Sequence, residues 1–104
     1  MAFKDDYEFE LLVNEAEKMV IDVLEEQLNI IKESEGEDNL CRCQDCILDM
    51  CALALNNLKP YYRSSFTGRV YAQGLIYNDE YKTGVINSVK NAIKKVRKNP
   101  SHVM

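Results

Sequence analysis

Four cysteines, Cys41, Cys43, Cys46 and Cys51, lie within eleven residues and are all the cysteines of the 104-residue chain. Zinc takes up to four soft, deprotonated ligands in a tetrahedron, and thiolates from a tight loop and an adjoining helix can supply them. Cys-x-Cys-x2-Cys-x4-Cys offers that ligand number, although it is not the familiar pair of separated Cys-x2-Cys knuckles. Cys41, Cys43 and Cys46 can converge from a loop. Cys51 follows Cys46 by about 500° of helical rotation, so the two share no face if both are fully helical. Either Cys46 sits at or before the first turn, or Cys51 is a small core residue on a buried stripe. Asp45 or a water can complete a three-cysteine site, and the single histidine, His102, lies in a tail beyond Pro100. Two other chemistries compete with zinc. A redox or reactive thiol needs a lowered pKa, which a helix N-terminus can give, but nothing here resembles a strand–Cys-x2-Cys–helix unit. Inert thiols are the third reading. Hydrolysis at an open zinc needs a general base, and Asp49, on a largely apolar helix, reads better as a satisfied carboxylate, so no enzyme is expected.

The cysteines open the most apolar run of the chain, Ile47 to Leu58, which reads as a helix starting near Gln44 or Asp45 and ending before Pro60. Leu48, Cys51, Ala52, Leu55 and Leu58 make its principal stripe. Ile47, Met50, Leu53 and Ala54 cover most of the remainder, so the helix should be covered from several sides, by its neighbours or by the same helix of a second copy. Before it, Asn14 and Glu17 have capping-box spacing. Ala16, Met19, Val20, Val23, Leu24, Leu28 and Ile31 then mark one face of a helix, with Glu15, Glu25, Glu26 and Glu33 placed opposite. Gly36 stops it, near Lys32. A last helix, capped by Asn78 or Asp79, carries Tyr81, Val85, Val89, Ala92, Ile93 and Val96 at helical spacing and ends at Asn99-Pro100. Residues 7–13 can be a strand-like entry or a helical turn, residues 61–69 read as loop, and Val70-Tyr71-Ala72 is a second candidate strand. The expected fold is mainly α, a small three-helix domain over residues 1–104 with a zinc-pinned loop and at most one or two short strands.

At this length, with 46% hydrophobic residues, one domain with a core is expected, and a small one gains by pairing into a homodimer. The N-terminal residues 1–39 hold thirteen acids against three bases, and the rest four acids against ten bases. That asymmetry suits antiparallel packing of the two ends or a positive face for an anionic ligand. The last helix is basic from Lys82 onward, which reads first as a solvated face with compensation of the helix dipole and second as a nucleic-acid patch. No secretory signal and no membrane-spanning stretch is legible, so a cytoplasmic protein without membrane insertion is expected, and crowded thiols in a reducing compartment point to metal or redox work.

The run Cys41-x-Cys43-x2-Cys46-x2-Asp49-Met50-x-Ala52-x-Ala54-Leu55-Asn56-x-Leu58-x-Pro60-x-Tyr62, preceded by Asn14-x2-Glu17-x2-Val20, resembles the late-competence ComFB family of bacterial proteins from about Leu12 to Val96. Lys59 stands where a first proline is usual and Ile47 where an arginine is common. The resemblance implies a small, helical, symmetric dimer with zinc on Cys41, Cys43, Cys46 and Cys51. It also implies two roles: an association with DNA uptake and, for some members, cytoplasmic reception of cyclic di-GMP. For such a ligand Arg63 and Arg69 can pair with phosphate or a guanine edge, Tyr61, Tyr62 or Tyr71 can stack, and Ser64, Ser65 and Thr67 can donate to phosphate oxygens. Each tyrosine can equally be an ordinary amphipathic packing residue.

Overall fold

The computed structural model describes residues 2–36, 40–64 and 78–100. Two 3-10 turns, Phe3–Asp5 and Phe9–Leu11, lead into strand β1, Val13–Asn14, and helix α1, Glu15–Glu35. Helix α2, Gln44–Asn56, strand β2, Tyr62–Arg63, and helix α3, Asp79–Lys98, follow. The fold is thus mainly helical, three helices with a two-stranded antiparallel sheet pairing Val13 with Arg63 and Asn14 with Tyr62.

Each helix starts where a side chain can satisfy the first free amides. Asn14 Oδ1 accepts from the Ala16 N–H at 3.1 Å, and Asn78 Oδ1 accepts from Glu80 N–H at 2.9 Å. The start of α2 differs from expectation: the cap is the Cys43 sulfur, which accepts from the Cys46 N–H at 3.4 Å, and not Asp45. Helix α1 runs to Glu35, one turn beyond Lys32, and stops where Gly36 takes φ 89° and ψ 166°, a conformation essentially confined to glycine. Its N–H closes the last turn on the Lys32 carbonyl.

The core is one cluster from all three helices: Val20, Val23, Leu24 and Leu28 of α1, Cys46, Met50 and Ala54 of α2, and Val85, Val89, Ala92, Ile93 and Val96 of α3. The stripes of α1 and α3 lie where their periodicity places them. That of α2 does not: Cys46, Met50 and Ala54, spaced by four, face inward, while Ala52 is exposed and Leu48 is 56% exposed. A helix apolar nearly all round has no preferred face, so the neighbours choose it.

The sheet corrects a second expectation. The partner of the N-terminal strand is Tyr62–Arg63, inside what reads as loop, and the Val70-Tyr71-Ala72 candidate lies outside the described residues. Asn14 secures this junction twice, since the same Oδ1 that caps α1 also accepts from the Tyr61 N–H at 2.9 Å, while the Tyr61 carbonyl accepts from Glu15 N–H at 2.8 Å. Asn14→Ala is therefore expected to cost about 2 kcal/mol in urea unfolding, more than the roughly 1 kcal/mol of a cap alone, because it also leaves the Tyr61 amide unpartnered. Asn14→Asp, which keeps the acceptor, should recover most of that loss.

Candidate metal centre and ligand cleft

The sulfurs of Cys41, Cys43 and Cys46 all lie within 4.8 Å of one another. Cys41 and Cys43 come from the segment before α2, and Cys46 is the third residue of that helix, fully buried and part of the core. Sulfurs around a tetrahedral zinc are about 3.8 Å apart at a Zn–S length near 2.3 Å, so three thiolates can hold one ion here after small adjustments. The positive end of α2 favours negative charge at the same place, and the amide donated to the Cys43 sulfur does so too. The donor set and its spread thus fit a thiophilic cation.

Cys51 falls outside this group. Cys46 is the third residue of α2, in its first turn, the placement under which the spacing leaves Cys51 open as a ligand, although a regular helix turns the two side chains about 140° apart. Burial, and after it the negative charge of Glu17 on α1, push the Cys51 thiol up from its ordinary value. Cys51 is partly buried and packs against the common core.

The tyrosine–arginine segment is drawn into the fold more tightly than its loop-like sequence indicates. Arg63 Nε donates to Glu15 Oε1, and Glu15, expected on the solvent side of α1, is 4% exposed. The Glu15 carboxylate also lies 3.9 Å from Lys18 Nζ. Tyr62 is exposed, and Ser64 borders a shallow hollow against the N-terminal turns, where the rings of Phe3, Tyr7 and Phe9 gather at 5.0–6.1 Å. Arg69, Ser65, Thr67 and Tyr71 lie outside the described residues.

Tyr61 packs edge-on against Tyr81 with centroids 4.7 Å apart, and the Tyr81 hydroxyl donates to the Lys59 carbonyl at 3.2 Å. Burial, then the nearby Tyr61, push the Tyr81 phenol above its ordinary value, so it stays neutral and a donor at physiological pH. The two rings wall a cleft of about 410 Å³ that is also bordered by Asn57, Lys59, Asn78 and Glu80. Aromatic faces, carboxamides and the Lys59 ammonium are groups that recognise a flat, hydrogen-bonding ligand, with the Glu80 carboxylate offsetting that one positive charge. Reading the sequence alone missed Tyr81 as part of this cleft, because its helical spacing assigns it to the core stripe.

The family described as late competence development protein ComFB matches over residues 13–100. The solved structure of the late competence protein ComFB from Bacillus subtilis superposes with a TM-score of 0.69 at 24% identity, over 88% of this chain and 94% of that one, and so shares the fold. No curated protein matches the sequence. No helix among the described residues is long and apolar enough to cross a membrane.

Proposed function

This chain belongs to the ComFB family of late competence development proteins, and on that premise we propose that it is a non-enzymatic, zinc-stabilised homodimer acting in the cytoplasm as a binding or signalling module. The observation that carries the zinc assignment is the convergence of three sulfurs within 4.8 Å at the N-terminus of the helix that shares the core with both others. Cys41, Cys43 and Cys46 would hold the ion. Cys51 is proposed as fourth ligand on the family resemblance, not on the geometry. Bound zinc would act structurally, tying the segment before α2 to the core.

Dimerisation is supported by apolar surface on the single chain. Ile21 and Ile30 on α1, Leu48 on α2 and the N-terminal Phe3, Tyr7 and Phe9 are all exposed. Covering such residues with a second copy is the expected remedy.

The proposed ligand is a cyclic dinucleotide, cyclic di-GMP, bound at the cleft beside β2. The support is the combination there of Tyr61, Lys59 and carboxamides, next to exposed Tyr62. Calorimetric titration with cyclic di-GMP should give a saturable isotherm that Lys59→Ala and Tyr62→Ala each weaken about tenfold while leaving the melting temperature unchanged. Absence of heat at millimolar ligand, with zinc content and dimer intact, removes the ligand and leaves the structural proposal standing.

A further inference from the structure

The C-terminal half of α3 borders a second cleft, of about 430 Å³, lined by Asn57, Ser88, Asn91, Lys94, Lys95 and Lys98. Its lining holds three ammonium groups, a hydroxyl and two carboxamides, with neither a carboxylate nor an aromatic ring. From Tyr81 to Lys98 the helix contains no acid. Lys90, Lys94 and Lys98 recur at four-residue spacing, a like-charge arrangement that weakens a helix. Attraction to the helix dipole explains cations in the last turn and does not reach Lys90 or Lys94. Lys94 and Lys98 also line the hollow on the α1 side, beside Lys90 and Arg97, so the positive surface wraps both flanks of the helix. Arg97 is engaged there with Glu35 of α1 at 3.3 Å, whereas Lys94, Lys95 and Lys98 form no ion pair among the described residues.

We propose that this basic cleft binds the sugar–phosphate backbone of duplex nucleic acid without regard to sequence. Lysine, serine and asparagine are among the side chains that contact phosphates and fix a protein on a duplex, contacts that carry no sequence information. From Ser88 to Lys98 the row extends about 15 Å. A strand advances about 3.4 Å per nucleotide, so the row faces roughly four successive phosphates. Single strands are held by stacking their bases on aromatic rings, and the cleft has none. An anionic membrane is the poorer match, because the apolar face of α3 that would have to enter lipid is buried in the core.

The test is fluorescence anisotropy of the zinc-loaded protein with labelled 20-base-pair duplexes of two unrelated sequences, between 25 and 200 mM NaCl. Equal affinity for both is expected, falling with salt at a slope of about 3 per site on a log–log plot, as three neutralised phosphates give. The triple variant Lys94→Gln/Lys95→Gln/Lys98→Gln keeps helix-forming side chains and should bind at least tenfold more weakly with a flattened salt slope. Lys82→Gln, at the other end of the helix, should bind as the parent does. The proposal fails if no duplex binds at 25 mM NaCl, if the triple variant and Lys82→Gln lose affinity equally, or if single strands bind more tightly than duplex. Binding to anionic phospholipid vesicles that depends on the same three lysines, with no duplex binding, overturns it in favour of a membrane surface.

Discussion

Removing zinc from the purified protein with a strong chelator is expected to lower its melting temperature by more than 15 °C and to release one equivalent of metal per chain. Structural zinc contributes on the order of 10 kcal/mol of apparent folding free energy in small domains at neutral pH, and about 1 kcal/mol moves the midpoint of a domain of this size by roughly 4–8 °C. Even half of that contribution therefore produces the predicted shift. The effect should be large because the site is not peripheral. Cys46 is fully buried in the common core, and Cys41 and Cys43 pack against the same cluster. Without the ion, the start of α2 would be held by one sulfur cap and ordinary burial. Cys43→Ser and Cys46→Ser should each reproduce the chelator's effect, Cys46→Ser more severely, since it also places a hydroxyl among Met50, Val20 and their neighbours. Cobalt substitution reads the ligand set directly: if Cys51 is the fourth thiolate, Cys51→Ser lowers the sulfur-to-cobalt charge-transfer absorbance along with the stability. If it is a core thiol, the spectrum is unchanged and the cost stays near 1 kcal/mol. A metal-free protein with an unaltered melting temperature would sink the structural-zinc reading.

The parts of this molecule that are local in sequence were legible, and those that depend on contacts between distant segments were not. The caps Asn14 and Asn78, the stop at Gly36 and the apolar faces of α1 and α3 are written within a turn or two of chain, and all lie where the spacing puts them. The three-cysteine convergence was legible for the same reason, because six residues suffice to bring Cys41, Cys43 and Cys46 together. The buried face of α2 was not, since apolar residues on every side leave the choice to α1 and α3. Nor was β2. Tyr62 and Arg63 carry no strand pattern of their own, and they pair with Val13 and Asn14 only because Asn14 and Glu15 each bond to the Tyr61 backbone across nearly fifty residues. Glu15 shows the limit most clearly. On a helical wheel it belongs with the exposed acids of α1, and it is buried because an arginine from a distant strand covers it.

That pair supports the second large expectation: Arg63→Met should destabilise the protein by about 3–5 kcal/mol, the usual cost of leaving a buried charge without its partner. Glu15 is 4% exposed, and Lys18, the other cation beside it, sits at 3.9 Å with a largely solvated side chain, too weak a contact to replace a guanidinium. Glu15→Leu alone should cost a similar amount, because it strands Arg63, whose side chain is only 17% exposed. The double variant Glu15→Leu/Arg63→Met, apolar and of similar volume, should recover most of the loss and give a coupling energy of about 2 kcal/mol or more in a double-mutant cycle. A single-variant cost below 1 kcal/mol, or strictly additive effects, would show that the pair is not the clasp between β2 and α1. The same cycle separates the two roles open to Arg63. In Arg63→Ala a lost cyclic di-GMP isotherm would follow from a loosened β2 whether or not the guanidinium ever meets a phosphate. In the refolded double variant the strand is back in place, so an isotherm that returns assigns Arg63 to the scaffold, and one that stays absent while Lys59 and Tyr62 are intact assigns it to the ligand.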